Sequence, residues 1–72
     1  MANLKLDLRG LAPPEPIERI LHWLDAAIAG ETLLAHLPHT PYPLYDHLRM
    51  RPCHWDCAAH ADGSAILTLH RD

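Results

Sequence analysis

The sequence predicts an α+β fold whose elements follow in the order strand, helix, strand, helix, strand, strand. Three observations predict it. Leucines alternate with charged residues near the N-terminus, apolar residues then recur at helical spacing, and two alternating segments flank an Asp-Gly turn near the C-terminus. With 72 residues, 49% of them hydrophobic, the chain has room for a single domain, residues 1–72, with a thin core.

The first strand and the first helix are joined by a loop that contains Gly and Pro. Residues 4–8 alternate Leu with Lys5 and Asp7, which is the period of a strand with one buried face, and the strand ends at Gly10. The helix is expected from Pro14 onward, because proline lacks the N–H that would be unpaired in a first turn. Its buried stripe consists of Ile17, Ile20, Leu21, Leu24 and Ile28, and Gly30 ends it.

The second strand and the second helix are shorter. Residues 32–37 alternate buried and exposed positions and stop before a proline. Thr40 is the expected N-cap of the second helix, with Pro41 at its first position. Leu44 and Leu48 lie four residues apart and are expected to anchor this helix on the core.

A hairpin with a three-residue loop is predicted next. Its apolar residues are Cys53, Trp55, Cys57 and Ala59 on one strand and Ala65, Leu67 and Leu69 on the other. A two-residue turn at Asp62-Gly63 would set these two sets on opposite faces of the sheet. A loop of residues 61–63, with Gly63 in the left-handed conformation, pairs Ala59 with Ala65, so that both sets point inward.

Charge and cysteine patterns exclude several classes of partner. The net charge is −3, Lys5 is the sole lysine, and only Arg49 and Arg51 lie close together, so no basic stripe is available for nucleic acid. No apolar run approaches the roughly twenty residues that cross a bilayer, so no membrane partner is expected. Cys53 and Cys57 would lie about 13 Å apart along one strand, beyond disulfide reach, and are expected to be free thiols. We therefore expect a cytoplasmic protein.

Residues 6–16 carry a resemblance to a known family. They read Leu-Asp-Leu-Arg-Gly-Leu-Ala-Pro-Pro-Glu-Pro. This run resembles the opening of the TusA-like (SirA-like) sulfur carriers, in which Leu-Asp, two residues, Gly-Leu and one residue precede Cys-Pro-x-Pro. The carrier cysteine falls on Pro13. Gly30-Glu31-Thr32 and Pro43-Leu44-Tyr45 extend the resemblance to an uncharacterised TusA-related branch that has Pro-Pro-Glu-Pro at this point.

The resemblance implies a two-layer sandwich in which a four-stranded mixed sheet carries both helices on one face. It implies this fold without the carriers' chemistry, because the pyrrolidine ring of Pro13 has no thiolate to carry sulfur. No Ser/His/Asp order, paired-carboxylate pocket or Gly-rich phosphate loop replaces that chemistry. We expect a protein that is not an enzyme.

The resemblance also implies a binding surface. In the carriers the loop after the second strand lies beside the cysteine loop at one end of the sheet. The candidate partner-binding residues on this surface are Arg9, Pro13, Glu15, His39 and Tyr42. The alternative is that the prolines only cap and stiffen the two turns.

The sheet face away from the helices is expected to carry a candidate metal site. Four of the seven histidines fall there: His36, His54, His60 and His70. Neutral imidazole is a common ligand of transition metals, and Asp7 or Asp56 could orient the rings or ligate directly. The alternative is an ordinary solvated face, because the chain has no compact His-x-x-x-His or Cys-x-x-Cys motif.

These patterns favour a non-catalytic binding or adaptor domain whose partner is a protein, in sulfur, metal or redox metabolism by analogy with the carriers. Two alternatives stay open. One is a small metal- or cofactor-binding protein that uses the histidine-rich face, with a transition metal as its cofactor. The other is a sulfur carrier that uses Cys53 or Cys57. We expect a monomer or a weak dimer, because nothing in the sequence specifies the pairing of an edge strand.

Overall fold

A four-stranded mixed sheet with two helices on one face forms the fold, as predicted. The computed structural model describes residues 3–72, so residues 1 and 2 of the predicted domain lie outside the described residues. The elements are β1 (Asn3–Asp7), α1 (Glu15–Ala26), β2 (Thr32–Leu37), α2 (Tyr42–Arg49), β3 (Cys53–Ala59) and β4 (Ala65–Arg71). The strands lie in the order β1-β2-β4-β3, with β1 parallel to β2 and the other neighbouring pairs antiparallel.

The core lies between the helices and one face of the sheet. The alternation in β2 predicted one buried face, and Leu33, Ala35 and Leu37 are each at most 1% exposed. Burying a leucine side chain of this kind contributes about 1.5–3 kcal/mol. The helices and β4 supply the facing side chains of the same cluster, among them Ile20, Leu24, Leu44, Leu48, Leu67 and Leu69. This shared cluster holds both helices on one side of the sheet and leaves the other side open.

Several element ends differ from the prediction. β1 ends at Asp7 and not at Gly10, and α1 begins at Glu15 with Pro14 as its N-cap. α1 ends before Ile28, whose side chain is 71% exposed and does not complete the buried stripe. The amide of Ile28 donates to Glu31 Oε1 at 2.8 Å, so a local turn replaces a further helical turn. α2 begins at Tyr42, and Pro41 occupies the N-cap position that was predicted for Thr40. Thr40 contributes its backbone carbonyl, which accepts from the Tyr42 amide at 3.0 Å.

The hairpin between β3 and β4 has the predicted register and loop. Ala59 lies opposite Ala65, and the amide of His60 donates to the carbonyl of Ser64 at 2.8 Å, which leaves residues 61–63 as the loop. Gly63 has a φ of +92°, in the left-handed region that favours glycine. The apolar faces of both strands therefore point toward the helices, as predicted.

Candidate functional site

An apolar groove lies at the end of the sheet where β1 and β2 lead into the two helices. Its volume is about 110 Å³, and its exposed wall is apolar. Six of the seven prolines in the chain line it, together with Ile17, Leu37 and His39; these prolines are Pro13, Pro14, Pro16, Pro38, Pro41 and Pro43. Because proline rings restrict the backbone, the groove has stiff walls.

Both helices begin at the groove, yet neither offers the usual anion site of a helix N-terminus. Such a site depends on unpaired N–H groups in the first turn. Pro16 in the first turn of α1 and Pro43 in the first turn of α2 have no N–H. Glu15 and Glu18 add negative charge to the first turn of α1. The groove is therefore suited to an apolar group, and its α1 side repels anions.

Two of the five predicted partner-binding residues, Pro13 and His39, lie in the groove wall. Glu15 follows a lining proline in the chain, and its side chain is exposed. Arg9 is not part of the wall. Its guanidinium donates from Nε and Nη2 to the carboxylate of Asp7, at 2.9 and 2.8 Å, and these hydrogen bonds hold the pKa of Asp7 well below its usual range.

Tyr42, the fifth predicted residue, begins a row of three aromatic rings beside the groove. It is 72% exposed, and its ring meets that of Tyr45 edge to face, with centroids 6.1 Å apart. Tyr45 stacks on Trp55 of β3 with centroids 6.0 Å apart, and burial raises the pKa of Tyr45 to about 12. Sequence reasoning missed this row, although the three-residue spacing of the tyrosines on a helix was a usable signal.

The four histidines of the predicted metal site form two separate pairs on the open face of the sheet. The ring centroids of His36 and His60 are 6.0 Å apart, and those of His54 and His70 are 4.6 Å apart. Ile66 lies opposite His36 and is four residues from His70 along β4, so the pairs are about 13 Å apart. Within residues 3–72, no group of three or more His, Cys, Asp or Glu side chains is arranged to hold a metal ion. The structure thus brings these histidines together in twos and not in one group.

A family model matches residues 5–71, a stretch that includes the groove, the aromatic row and both histidine pairs. It describes an uncharacterized conserved protein family, DUF2249. The chain belongs to this family. No curated protein and no solved structure matches the chain significantly. The description of DUF2249 names no substrate, cofactor or partner.

Two further properties of this DUF2249 chain bear on function. Both cysteines are free and half-buried; the thiol of Cys53 donates to the carbonyl of Leu48 at 3.4 Å, and burial raises the pKa of Cys53. A raised pKa lowers the fraction of thiolate that sulfur transfer needs, so Cys53 has the character of a core residue. Neither helix in the described part of the chain is long and apolar enough to span a membrane.

Proposed function

We propose that this chain is a non-catalytic protein-binding domain that seats an apolar side chain of a partner protein in the proline-lined groove. The observation that carries the proposal is the groove, a stiff apolar concavity of about 110 Å³ at the end of the sheet. Apolar concave sites with few polar groups are the usual places for such anchors. The order of the elements and the presence of Pro13 in the groove wall also support the resemblance to the TusA-like carriers, with binding retained and the nucleophile absent.

The size of the groove suits one anchor residue. Filling an apolar space of 110 Å³ at about 24 cal/mol per Å³ would contribute about 2.6 kcal/mol. The groove is open on one side, so we expect about half of this, close to the lower end of the value for burying one leucine. A contribution of about 1.4 kcal/mol corresponds to a tenfold change in Kd. The groove therefore provides one anchor point within a larger contact.

Charge near the groove favours a basic partner. Glu15 and Glu18 are exposed at the start of α1, whereas the charge of Arg9 is offset by its ion pair with Asp7. The whole chain has a net charge of −3. Complementary charge increases association rates and suppresses wrong partners. We therefore assign the groove to an apolar anchor that is flanked by Lys or Arg on the partner.

The resemblance to sulfur carriers directs the search for that partner to proteins of sulfur, metal or redox metabolism, by analogy of fold alone. The free cysteines support a reducing, cytoplasmic setting.

Designed peptides test the proposal on the intact chain. One peptide carries a central leucine flanked by lysines, a second has the leucine flanked by glutamates, and a third has alanine in place of the leucine. NMR amide shifts would follow each titration. We expect the lysine-flanked leucine peptide to bind about tenfold more tightly than the alanine peptide, with the largest shifts at Ile17, Leu37 and His39. Equal binding of the three peptides, or shifts centred on the open face of the sheet, would rule the groove out.

A pair of isoleucine variants provides the control. Ile17 lines the groove, whereas Ile28 is exposed outside it. Ile17→Gln should weaken the leucine peptide about tenfold and Ile28→Gln should leave its Kd unchanged, with circular dichroism to verify folding. Ile17 is half-buried, so Ile17→Gln also perturbs the core. His39→Lys, at an exposed residue of the groove wall, is therefore a second variant, and His47→Lys at the far end of α2 is its match. The added positive charge at residue 39 should weaken the lysine-flanked peptide about two- to fivefold, which is the range of an exposed charge pair.

A further inference from the structure

The pair His54 and His70 lies apart from the groove, on the open face and at the other end of the sheet. The two residues are directly opposite each other on the antiparallel strands β3 and β4. Their rings stack with centroids 4.6 Å apart and planes inclined by 18°. His70 also lies opposite Thr32, the first residue of β2, whereas the groove lies beyond the last residue of that strand.

In each ring the Nδ1 atom has a hydrogen-bond partner. His54 Nδ1 is 2.6 Å from Asp72 Oδ1, and His70 Nδ1 is 3.1 Å from Thr32 Oγ1. An ionised carboxylate can only accept, so the hydrogen of a neutral His54 ring lies on Nδ1 and its Nε2 keeps a lone pair. A threonine hydroxyl accepts as readily as it donates, so Thr32 is compatible with the same tautomer of His70. In its neutral form, each ring can therefore present an unprotonated Nε2.

We propose that His54 and His70 bind a divalent transition-metal ion through their Nε2 atoms, with Asp72 and Thr32 holding the rings. Histidines that ligate metals commonly donate the other ring N–H to a carboxylate or another acceptor, which fixes the tautomer and makes the ligand more basic. Two imidazoles without a thiolate suit Cu²⁺, Ni²⁺ and Zn²⁺, with Cu²⁺ bound most tightly. Water or a donor from another molecule completes the coordination, so the site is open and exchangeable.

The stacked rings need only a small movement to share one ion. Two imidazole nitrogens at about 2.0–2.1 Å from a metal lie roughly 3 Å from each other. The ring centroids are 4.6 Å apart, so the rings must tilt until their Nε2 edges converge. The side chain of His54 is 68% exposed, and the final torsion of a histidine side chain has a broad distribution, so packing leaves the His54 ring room to tilt.

The other histidine pair on this face, His36 and His60, differs at Nε2, the atom proposed to bind the metal. His36 Nε2 is 3.2 Å from Ser64 Oγ, and that hydroxyl in turn donates to Asp62 Oδ1 at 2.6 Å. Since the hydroxyl hydrogen is given to Asp62, the Ser64 oxygen accepts from Nε2 of His36, which is then protonated and cannot ligate. His36 and His60 therefore form a natural control pair on the same surface.

Titration of the full chain with Zn²⁺ alone, followed by ¹⁵N NMR of the imidazole nitrogens, tests the assignment. Zn²⁺ is diamagnetic and does not oxidise the two thiols. We expect the Nε2 resonances of His54 and His70 to move together on binding, those of His36 and His60 to stay in place, and chelator to reverse the change. Calorimetry on a Cys53→Ser, Cys57→Ser chain, which lacks the thiols that Cu²⁺ would oxidise, should give a tighter Kd for Cu²⁺ than for Zn²⁺. Shifts that are confined to other histidines or to the cysteines would overturn the proposal.

Variants make the test quantitative. His54→Ala and His70→Ala should each weaken Zn²⁺ binding at least tenfold, whereas His36→Ala should leave the Kd unchanged. Asp72→Asn keeps an accepting oxygen without the charge and should weaken binding about tenfold, the effect typical of such supporting partners. Asp56→Asn, on the same face of β3, is its matched control. Equal effects of the two asparagine variants, or unchanged binding in His54→Ala, would show that the pair is not the site.

Discussion

Replacement of Gly63 by alanine should destabilise the fold through the backbone alone. Gly63 has a φ of +92°, and a Cβ added there would meet no atom within 4 Å, so crowding contributes nothing. An L-residue in the left-handed region costs about 1–2 kcal/mol. The reduced freedom of alanine in the unfolded chain offsets about 0.4–1 kcal/mol of this. The net loss in free energy of unfolding should be about 1 kcal/mol.

Urea denaturation followed by circular dichroism measures this loss. A 72-residue domain has a free energy of unfolding of about 4–11 kcal/mol, so a loss of about 1 kcal/mol is readily resolved. With a slope near 1 kcal/mol per molar urea, the midpoint should fall by about 1 M, and Tm should fall by about 4–8 °C. Gly30→Ala should behave in the same way, because Gly30 has a φ of +93° and equally open surroundings.

The remaining glycine provides the matched control. Gly10 also has open space for a Cβ, but its φ lies outside the left-handed region. Gly10→Ala should therefore be neutral or stabilise by up to about 1 kcal/mol. D-Alanine at position 63, introduced by chemical synthesis, should stabilise the fold because its preferred φ is positive. Equal midpoints for Gly63→Ala and the wild-type chain would refute the reasoning, and so would equal losses in Gly63→Ala and Gly10→Ala.

Two further predictions concern charged groups. Arg71 donates from Nε to the carbonyl of Ala27 and from Nη1 to the carbonyl of Pro52, each at 3.2 Å. Arg71→Met should therefore lower the free energy of unfolding, measured by urea denaturation, by about 1–2 kcal/mol. Arg49→Met removes only the exposed ion pair with Asp46 and should lower it by less than about 0.5 kcal/mol. Equal urea midpoints for the two variants would contradict this. Hydrogen bonds lower the pKa of three carboxyl groups, so their contribution to stability is present above the unfolded pKa near 4 and is lost as pH falls below it. The urea midpoint should decline from about pH 4 downward, and a constant midpoint to pH 2 would contradict the assignment to Asp7, Asp25 and Asp62.

Local patterns predicted the elements well and their ends less well. Strand alternation and the requirement that both hairpin faces point inward led to the pairing of Ala59 with Ala65, which is confirmed. The ends of the helices failed at Ile28 and Thr40. The hydrogen bond that the Ile28 amide donates to Glu31 decides the end of α1, and the position of Pro41 decides the start of α2. Such effects amount to a few tenths of a kcal/mol to about 1 kcal/mol, which periodicity does not resolve.

The candidate site was also predicted only in part. The resemblance to the TusA-like carriers implied that two proline-containing loops meet, and Pro13 and His39 do line one groove. The sequence also indicated a face rich in histidine. It did not reveal that Arg9 is occupied by Asp7, because a bidentate ion pair depends on side-chain rotamers that no spacing rule specifies.

The sequence by itself determined the order of elements, the hairpin register and the absence of a nucleophile at position 13. These follow from the period of side chains, from turn chemistry and from residue identity, which act over a few neighbouring residues. Only the tertiary structure decided that prolines from two separate loops form one stiff groove, and that His70 stacks on His54 while Ser64 holds His36. Those contacts join segments 16 to 28 residues apart in the chain, and distances of a few ångströms between such segments exist only once the core has packed.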